Sequence, residues 1–256
     1  MYVAYDEFGI QHYFNHTCDY NEALESGRYF VQEPSKPGKI KKYFPDITLL
    51  CIDCVNLERL FFPINYSTRF FRFNTIKILT SIAPEYKYPY IKIPHIDSLE
   101  KYSEFCVKEL YKYVDTKYCI LIQWDGFIIG DTSTWKDEFL NYDYIGAPWW
   151  YNDGMNVGNG GFSLRSKRIL EEVSKIAVGN YHPEDNVYCR NYFSLLKEKG
   201  IIYAPEELAT FFSIEGSSKY KESKGRFGFH RFASYPGIEG IIEHNKHMKE
   251  KLMIEE

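Results

Sequence analysis

Tyr118-Cys119-Ile120-Leu121-Ile122-Gln123-Trp124-Asp125-Gly126 is the stretch on which the reading of the fold turns. Its first five residues carry no charge and read as a strand buried on both faces. The polar Gln-Trp-Asp-Gly that follows ends it. Strands of this kind belong to mostly parallel sheets whose crossover connections are helices.

The sequence upstream supplies both element types. Ile47 to Val55 is an apolar strand, and Asn56 opens a helix with Leu57, Leu60 and Phe61 on one face. Thr75 to Thr80 and Tyr90 to Ile93 read as two further strands. Asp97 or Ser98 then caps a helix that carries Leu99, Tyr102, Phe105, Cys106, Glu109 and Leu110 at helical spacing. Downstream, Tyr142 to Trp150 is a short strand running into a rigid Ala-Pro turn. Asn156 to Leu164 is a glycine-rich turn feeding a strand, Ser166 caps a helix to about Ile176, and Pro183 sits in the first turn of another. The expected fold class is therefore α/β, a Rossmann-type, mostly parallel sheet flanked by helices.

Residues 1–45 differ from the rest, being polar and ending in the loop signal Pro34-Ser35-Lys36-Pro37-Gly38-Lys39. They read as an N-terminal arm or cap, a dimer contact or a lid, ahead of a main domain over residues 46–256. The 256 residues are 45 % hydrophobic and 26 % charged, as in ordinary globular proteins. A net charge of −4 without a basic run argues against nucleic acid as a partner. No apolar run approaches the length of a membrane span, and the start Met1-Tyr2-Val3-Ala4-Tyr5-Asp6-Glu7 has no signal-peptide pattern, so a cytoplasmic location is expected. Cysteines at 18, 51, 54, 106, 119 and 189 sit mostly in apolar stretches and read as buried thiols. Cys51-Ile52-Asp53-Cys54 lacks the second ligand pair that zinc requires.

In open α/β sheets, ligands bind at the carboxyl ends of strands, which puts Asp53 and Asp125 in the expected cleft. Asp125 reads equally as a ligand of a hard divalent cation or as the holder of an Asx turn. Gly158-Asn159-Gly160-Gly161 suits a close backbone approach to a ligand or a plain turn, and it has neither the P-loop nor the Rossmann spacing. Glu184-Asp185 suits either a helix N-terminus or a general base at a cleft edge. His230, between Phe229 and Arg231, reads as structural or as facing a phosphate or metal.

Taken in order, these pieces resemble a family of GT-A-like glycosyltransferases marked by a Gln-x-Asp-Gly strand end. The matching segments are Ile47-Thr48-Leu49-Leu50-Cys51-Ile52-Asp53, Gln123-Trp124-Asp125-Gly126, Tyr144-Ile145-Gly146-Ala147-Pro148-Trp149, Gly158-Asn159-Gly160-Gly161-Phe162-Ser163, Pro183-Glu184-Asp185 and Phe227-Gly228-Phe229-His230. The resemblance implies a nucleotide-sugar donor and a glycan or other hydroxyl acceptor. It implies donor contacts from Asp53, Gln123, Asp125, Gly126, Gly160 and Gly161, and a divalent metal (Mn2+ or Mg2+) on Asp125 and His230. Asp185, with Glu184, is the implied base for an inverting displacement. Trp149 and Trp150, after the rigid Ala-Pro turn, read equally as rings that stack on acceptor sugar or as core or lid aromatics. Gln123 stands where the family motif usually carries an acid, which predicts a weaker metal site or help from Arg226 and Arg231. The rival readings are a metal-dependent phosphoryl hydrolase, for which the strand ends offer too few acids, and a glycan- or nucleotide-sugar-binding module on the same fold.

Overall fold

The computed structural model describes residues 41–83, 89–215 and 226–231, together with the backbone of three short strands, β1 (Tyr2–Asp6), β2 (Gln11–Phe14) and β3 (Tyr29–Phe30). These three form an antiparallel sheet in the order β2-β1-β3. The rest of the expected arm up to residue 40, including Cys18 and the loop Pro34 to Lys39, lies outside the described residues, as do Gly225 and Phe232.

The central sheet has six strands: β4 (Lys42–Ile52), β5 (Phe71–Thr80), β6 (Ile91–Lys92), β7 (Tyr118–Ile122), β8 (Tyr144–Ile145) and β11 (Ser163–Ser166). Two short strands intervene, β9 (Ala147–Pro148) paired with β10 (Val157–Gly158). The sheet order is β6-β5-β4-β7-β11-β8. β4 runs parallel to both β5 and β7, and β5 parallel to β6; β11 runs antiparallel to β7 and to β8. The mostly parallel α/β sheet is thus as the sequence implies. β4 starts at Lys42, ahead of the expected Ile47. Its pairing with β5 shifts register between Phe44 and Thr48, around Pro45, whose missing N–H cannot serve the ladder.

The two-residue period of the strands divides the core in two. Ile47, Leu49 and Cys51 of β4 join Tyr118, Ile120 and Ile122 of β7 in one core. Leu50 and Ile52 join Cys119 and Leu121 in the other. The first is covered by the helix Phe61–Ser67, through Phe61, Phe62 and Ile64, and by a cluster of rings. In that cluster Phe227 meets Phe71, Trp135 and Phe212 edge-on or tilted, with centroids 5.0–5.6 Å apart. Much of the aromatic content therefore serves as core. The second core is covered by the helices Leu99–Lys108 and Lys167–Ser174.

Both of those helices start where a serine can cap them. Ser98 Oγ accepts the Lys101 N–H at 3.2 Å, and Ser166 Oγ accepts the Ile169 N–H at 3.1 Å. The expected helix at Asn56 begins instead as a tight turn over Leu57–Leu60 and becomes α-helical at Phe61. The cysteines at 51, 54, 106, 119 and 189 are buried and free. Burial pushes the Cys51 and Cys106 thiols far up, so neither is a nucleophile. Among the described residues, no helix is long and apolar enough to cross a membrane.

Candidate active site

A cavity of about 460 Å³ opens where β4 and β7 end, at Asp53 and Gln123. Because β11 runs the other way, its beginning, and not its end, meets this edge; Ser163 pairs with Leu121. The antiparallel strand therefore delivers Gly160 and Gly161 to the same rim as the carboxyl ends of the parallel strands. Asp53, Gln123, Gly160, Gly161, Glu184, Asp185 and His230 all line the cavity.

The Gln-Trp-Asp-Gly segment closes a tight reversal. Gln123 N–H donates to Gly126 C=O at 2.8 Å, and Gly126 N–H returns to Gln123 C=O at 3.2 Å. The Gln123 amide nitrogen donates to the Tyr102 hydroxyl at 2.9 Å, so the neutral residue in the acid's place is tied to the helix wall. Asp125 Oδ1 is buried with no hydrogen-bond partner among the described residues. It lies 3.8 Å from His230 Nε2, too far for a hydrogen bond.

His230 reaches this place through the segment Gly228–His230 (β13), which docks on the residues following β7. Phe229 N–H donates to Phe127 C=O at 3.3 Å, and Arg231 N–H donates to Asp125 C=O at 2.8 Å. β13 also pairs in parallel with β12 (Ser213–Glu215), which sets Glu215 opposite His230. His230 Nδ1 and Glu215 Oε1 are 3.2 Å apart. A carboxylate on one imidazole nitrogen orients the other as a ligand, the usual support of a metal-bound histidine.

The glycines are explained by what surrounds them. A Cβ at Gly160 would lie 1.9 Å from Glu184 Oε1, and one at Gly161 would lie 2.1 Å from His230 Nε2. Asn159 adopts φ 76°, and its side-chain oxygen accepts the Gly161 N–H at 2.9 Å. Gly126 is similarly close-packed, its Cβ position 3.0 Å from both Gly161 O and His230 Cδ2.

The two adjacent acids differ. Glu184 is buried and pairs with the guanidinium of Arg165 at 3.1 Å. Asp185 Oδ2 accepts the Gly160 N–H at 3.2 Å, and Oδ1 accepts the Asn186 N–H at 2.8 Å. Burial, and then the charges of Glu184 and Glu215, push the Asp185 carboxyl up to about 7, against the opposing pull of Arg165 and the Gly160 amide. A carboxyl that titrates near neutrality at a cleft wall is suited to general-base work.

Asp53 is committed locally. Its Oδ1 accepts the N–H groups of Val55 and Asn56 at 2.8 and 2.9 Å, and its Oδ2 accepts Arg59 Nε at 2.5 Å. Three of the other expected residues lie off the cavity. Trp149 is buried, its ring filling the space a side chain at Gly158 would need, and Trp150 meets Tyr151 at a tilt with centroids 4.7 Å apart. Neither lines the cavity. Arg226 is buried away from it, whereas Arg231 stands on the rim.

Sequence reading did not find Arg59, Tyr102, Arg165, His182 or Glu215 as part of this region. Tyr102 lies on the cavity-facing side of a helix that reads only as amphipathic. His182 is held by Ser103 at 3.0 Å across a sequence separation of 79 residues. Arg165 alone left a signal, as a charge inside the otherwise uncharged strand Phe162-Ser163-Leu164-Arg165-Ser166.

For a divalent cation, the orphaned Asp125 oxygen beside an oriented imidazole fits as a pair of ligands. Among the described residues no group of three or more His, Cys, Asp or Glu side chains is arranged around one point. Hard cations at phosphate sites commonly take one or two protein ligands and complete their shell with phosphate oxygens and water, so two suffice.

No curated protein matches the chain. Among solved structures it is similar to a protein from Bacillus anthracis assigned as a glucose-1-phosphate thymidylyltransferase, in complex with sucrose, at 10 % identity and TM-score 0.35. That similarity covers 60 % of this chain and 84 % of that one. It is similar to the glycosyltransferase GlyE of Streptococcus pneumoniae at 11 % identity and TM-score 0.35, covering 60 % of this chain and 44 % of that one. It is also similar to the mannosyltransferase PcManGT of Pyrobaculum calidifontis, in complex with GDP-Man and Mn2+, at 6 % identity and TM-score 0.34, covering 64 % and 57 %. This chain thus spans less than two thirds of the latter two. Over residues 85–230, which include β7, the glycine turn, Glu184-Asp185 and His230, the chain belongs to the family described as protein of unknown function (DUF5672).

Proposed function

We propose that this protein is a glycosyltransferase that moves a sugar from a nucleotide-sugar donor to an acceptor hydroxyl, with inversion. The observation that carries the reading is the meeting, in one cavity, of an Asp185 carboxyl pushed up to about 7 with His230, behind which the buried Asp125 Oδ1 lies 3.8 Å from Nε2. A base that titrates near neutrality and a cation-binding pair at one cleft are what an acceptor hydroxyl and a leaving diphosphate respectively require.

In this reading Asp185 accepts the proton of the acceptor hydroxyl. The acceptor oxygen forms its bond to the anomeric carbon from the face opposite the nucleotide as the bond to the diphosphate oxygen breaks. Glu184 holds the turn that carries Asp185. Asp125 and His230 would hold a divalent cation such as Mn2+ or Mg2+, which when bound neutralises charge on the leaving diphosphate. Glu215 fixes the His230 ring, and Arg231 offers a second positive charge at the rim. Gly160 and Gly161 keep the cavity wall thin on the donor side, and Gly126 lets Gly161 and His230 pack closely behind it. Gln123 and Asp53 border the donor's place, Asp53 by keeping Arg59 in position.

The test is a thermal-shift screen against nucleoside diphosphates and nucleotide sugars with Mn2+, Mg2+ or chelator, followed by a sugar-transfer assay with the stabilising donor. A ligand that binds only the folded state raises the melting temperature. A metal-enhanced shift with one nucleotide, and transfer abolished in Asp185→Asn, is the expected result. No shift with any nucleotide overturns the reading and leaves the glycan-binding module.

A further inference from the structure

We infer that Arg165 is the positioning residue of this site, holding the Asp185 carboxylate in place from two sides at once. The inference rests on the reading of Asp185 as the base, but its geometry is independent of any substrate. Arg165 lies mid-strand in β11, opposite Cys119 of β7 and Tyr144 of β8, and its side chain is fully buried. A buried guanidinium is costly unless its charge and donors are met.

Here Nη2 is met by the two segments that make the base and Nε by Ser163, while Nη1 is buried without a hydrogen-bond partner among the described residues. Arg165 Nη2 donates to Gly160 C=O at 3.2 Å and to Glu184 Oε1 at 3.1 Å, while Nε donates to Ser163 Oγ at 3.0 Å. The residue whose carbonyl Arg165 grips is the one whose N–H donates to Asp185 Oδ2. The residue whose carboxylate it grips is the immediate neighbour of Asp185. One nitrogen, Nη2, thus fixes both the donor to the base and the turn that bears the base, while Nε of the same plane holds Ser163; a lysine has no second nitrogen with which to keep all three contacts. The guanidinium lies 4.7 Å from the Tyr188 ring centroid and 5.4 Å from that of Tyr144, which restrict it further. The charged or titratable groups facing Asp185 are Glu184 and Cys189 on its own segment, Glu215 of β12, Tyr144 of β8 and Arg165 of β11. Arg165 is the positive member of that set.

The experiment uses the full chain, Arg165→Lys and the double variant Arg165→Met/Glu184→Gln. The double variant removes the pair without stranding a buried charge, which keeps it folded; melting curves check this. The first readout is NMR and needs no substrate. In the wild type the Gly160 amide shift is expected to titrate together with the Asp185 carboxyl carbon, because one bonds the other. In both variants that coupling is expected to be lost or at least halved. Retention of the full coupled titration in a folded double variant overturns the inference. The second readout is transfer. Both variants are expected to lose kcat by about tenfold or more with donor KM nearly unchanged, since a misplaced base spares ground-state binding. Wild-type kcat in either variant overturns the inference as well. Should the wild-type protein transfer no sugar, the proposed function falls, while the amide titration still decides the role of Arg165.

Discussion

Replacing Asp185 with asparagine should stabilise the protein, and by an amount that grows with pH. The folded-state carboxyl titrates at about 7 against the ordinary 3.8. Between those values the native state holds a proton that the unfolded chain has released, so stability falls as pH rises through the window and levels off above about 7. Each pH unit of separation corresponds to about 1.4 kcal/mol. The raised pKa therefore costs the wild type about 4 kcal/mol at pH 8, where the buried carboxyl is ionised, and about 1.5 kcal/mol at pH 5, where it must hold its proton. Asparagine carries no charge at either pH. It accepts only one of the two N–H groups, Gly160 and Asn186, that Asp185 holds, which costs about 1 kcal/mol irrespective of pH. Urea unfolding of both proteins at pH 5 and pH 8 isolates the electrostatic part. The variant's stability relative to wild type should rise by about 2.5 kcal/mol between the two. A gap that stays constant would mean that Asp185 is already ionised at pH 5, and the argument for a base poised near neutrality would be refuted.

Gly161→Ala drives a Cβ to 2.1 Å from His230 Nε2, so the ring must leave Asp125 and Glu215; a loss of about 1–3 kcal/mol in chemical denaturation is expected, together with loss of any Mn2+-dependent thermal shift. Glu215→Gln leaves the imidazole less firmly oriented, and titration calorimetry should find Mn2+ affinity about 10–100-fold weaker in the presence of nucleoside diphosphate. Arg59→Ala strands the buried Asp53 carboxylate, whose Oδ2 it meets at 2.5 Å, and should cost about 2–3 kcal/mol in urea unfolding. Trp150→Ala removes a ring that meets Tyr151 at a tilt outside the cavity, so nucleotide-induced thermal shifts should match wild type.

The strands and caps were legible because their causes are local. Tyr118 to Ile122 is observed with the bounds its uncharged run suggests, and Ser98 and Ser166 cap helices through side-chain oxygens within the same turn. The rule that ligands lie at the carboxyl ends of parallel strands pointed to Asp53 and Asp125, because it needs only the order of elements; Asp53 lines the cavity, whereas at the second strand end Gln123 and Trp124 do so and Asp125 does not. What sequence could not supply were pairings set by tertiary packing. Glu215 meets His230 only because β12 and β13 run side by side, and Arg165 meets Glu184 across the mouth of β11. The tryptophans illustrate the opposite error. Ala-Pro-Trp-Trp reads equally as rings for an acceptor sugar or as core, and packing decides for Trp149, which fills the gap left by Gly158 on the paired strand.

The glycines at 160 and 161 are small on account of Glu184 and His230, whose side-chain atoms occupy the volume a larger residue would need. This makes each glycine one half of an epistatic couple. A side chain at 161 becomes tolerable once position 230 has lost its imidazole, and one at 160 once position 184 is shortened. Drift in this family should therefore move these positions in pairs. A relative carrying a bulky residue at the equivalent of 161 will have surrendered the histidine too, so the identity of that single small position reports whether the cation-binding half of the cleft survives.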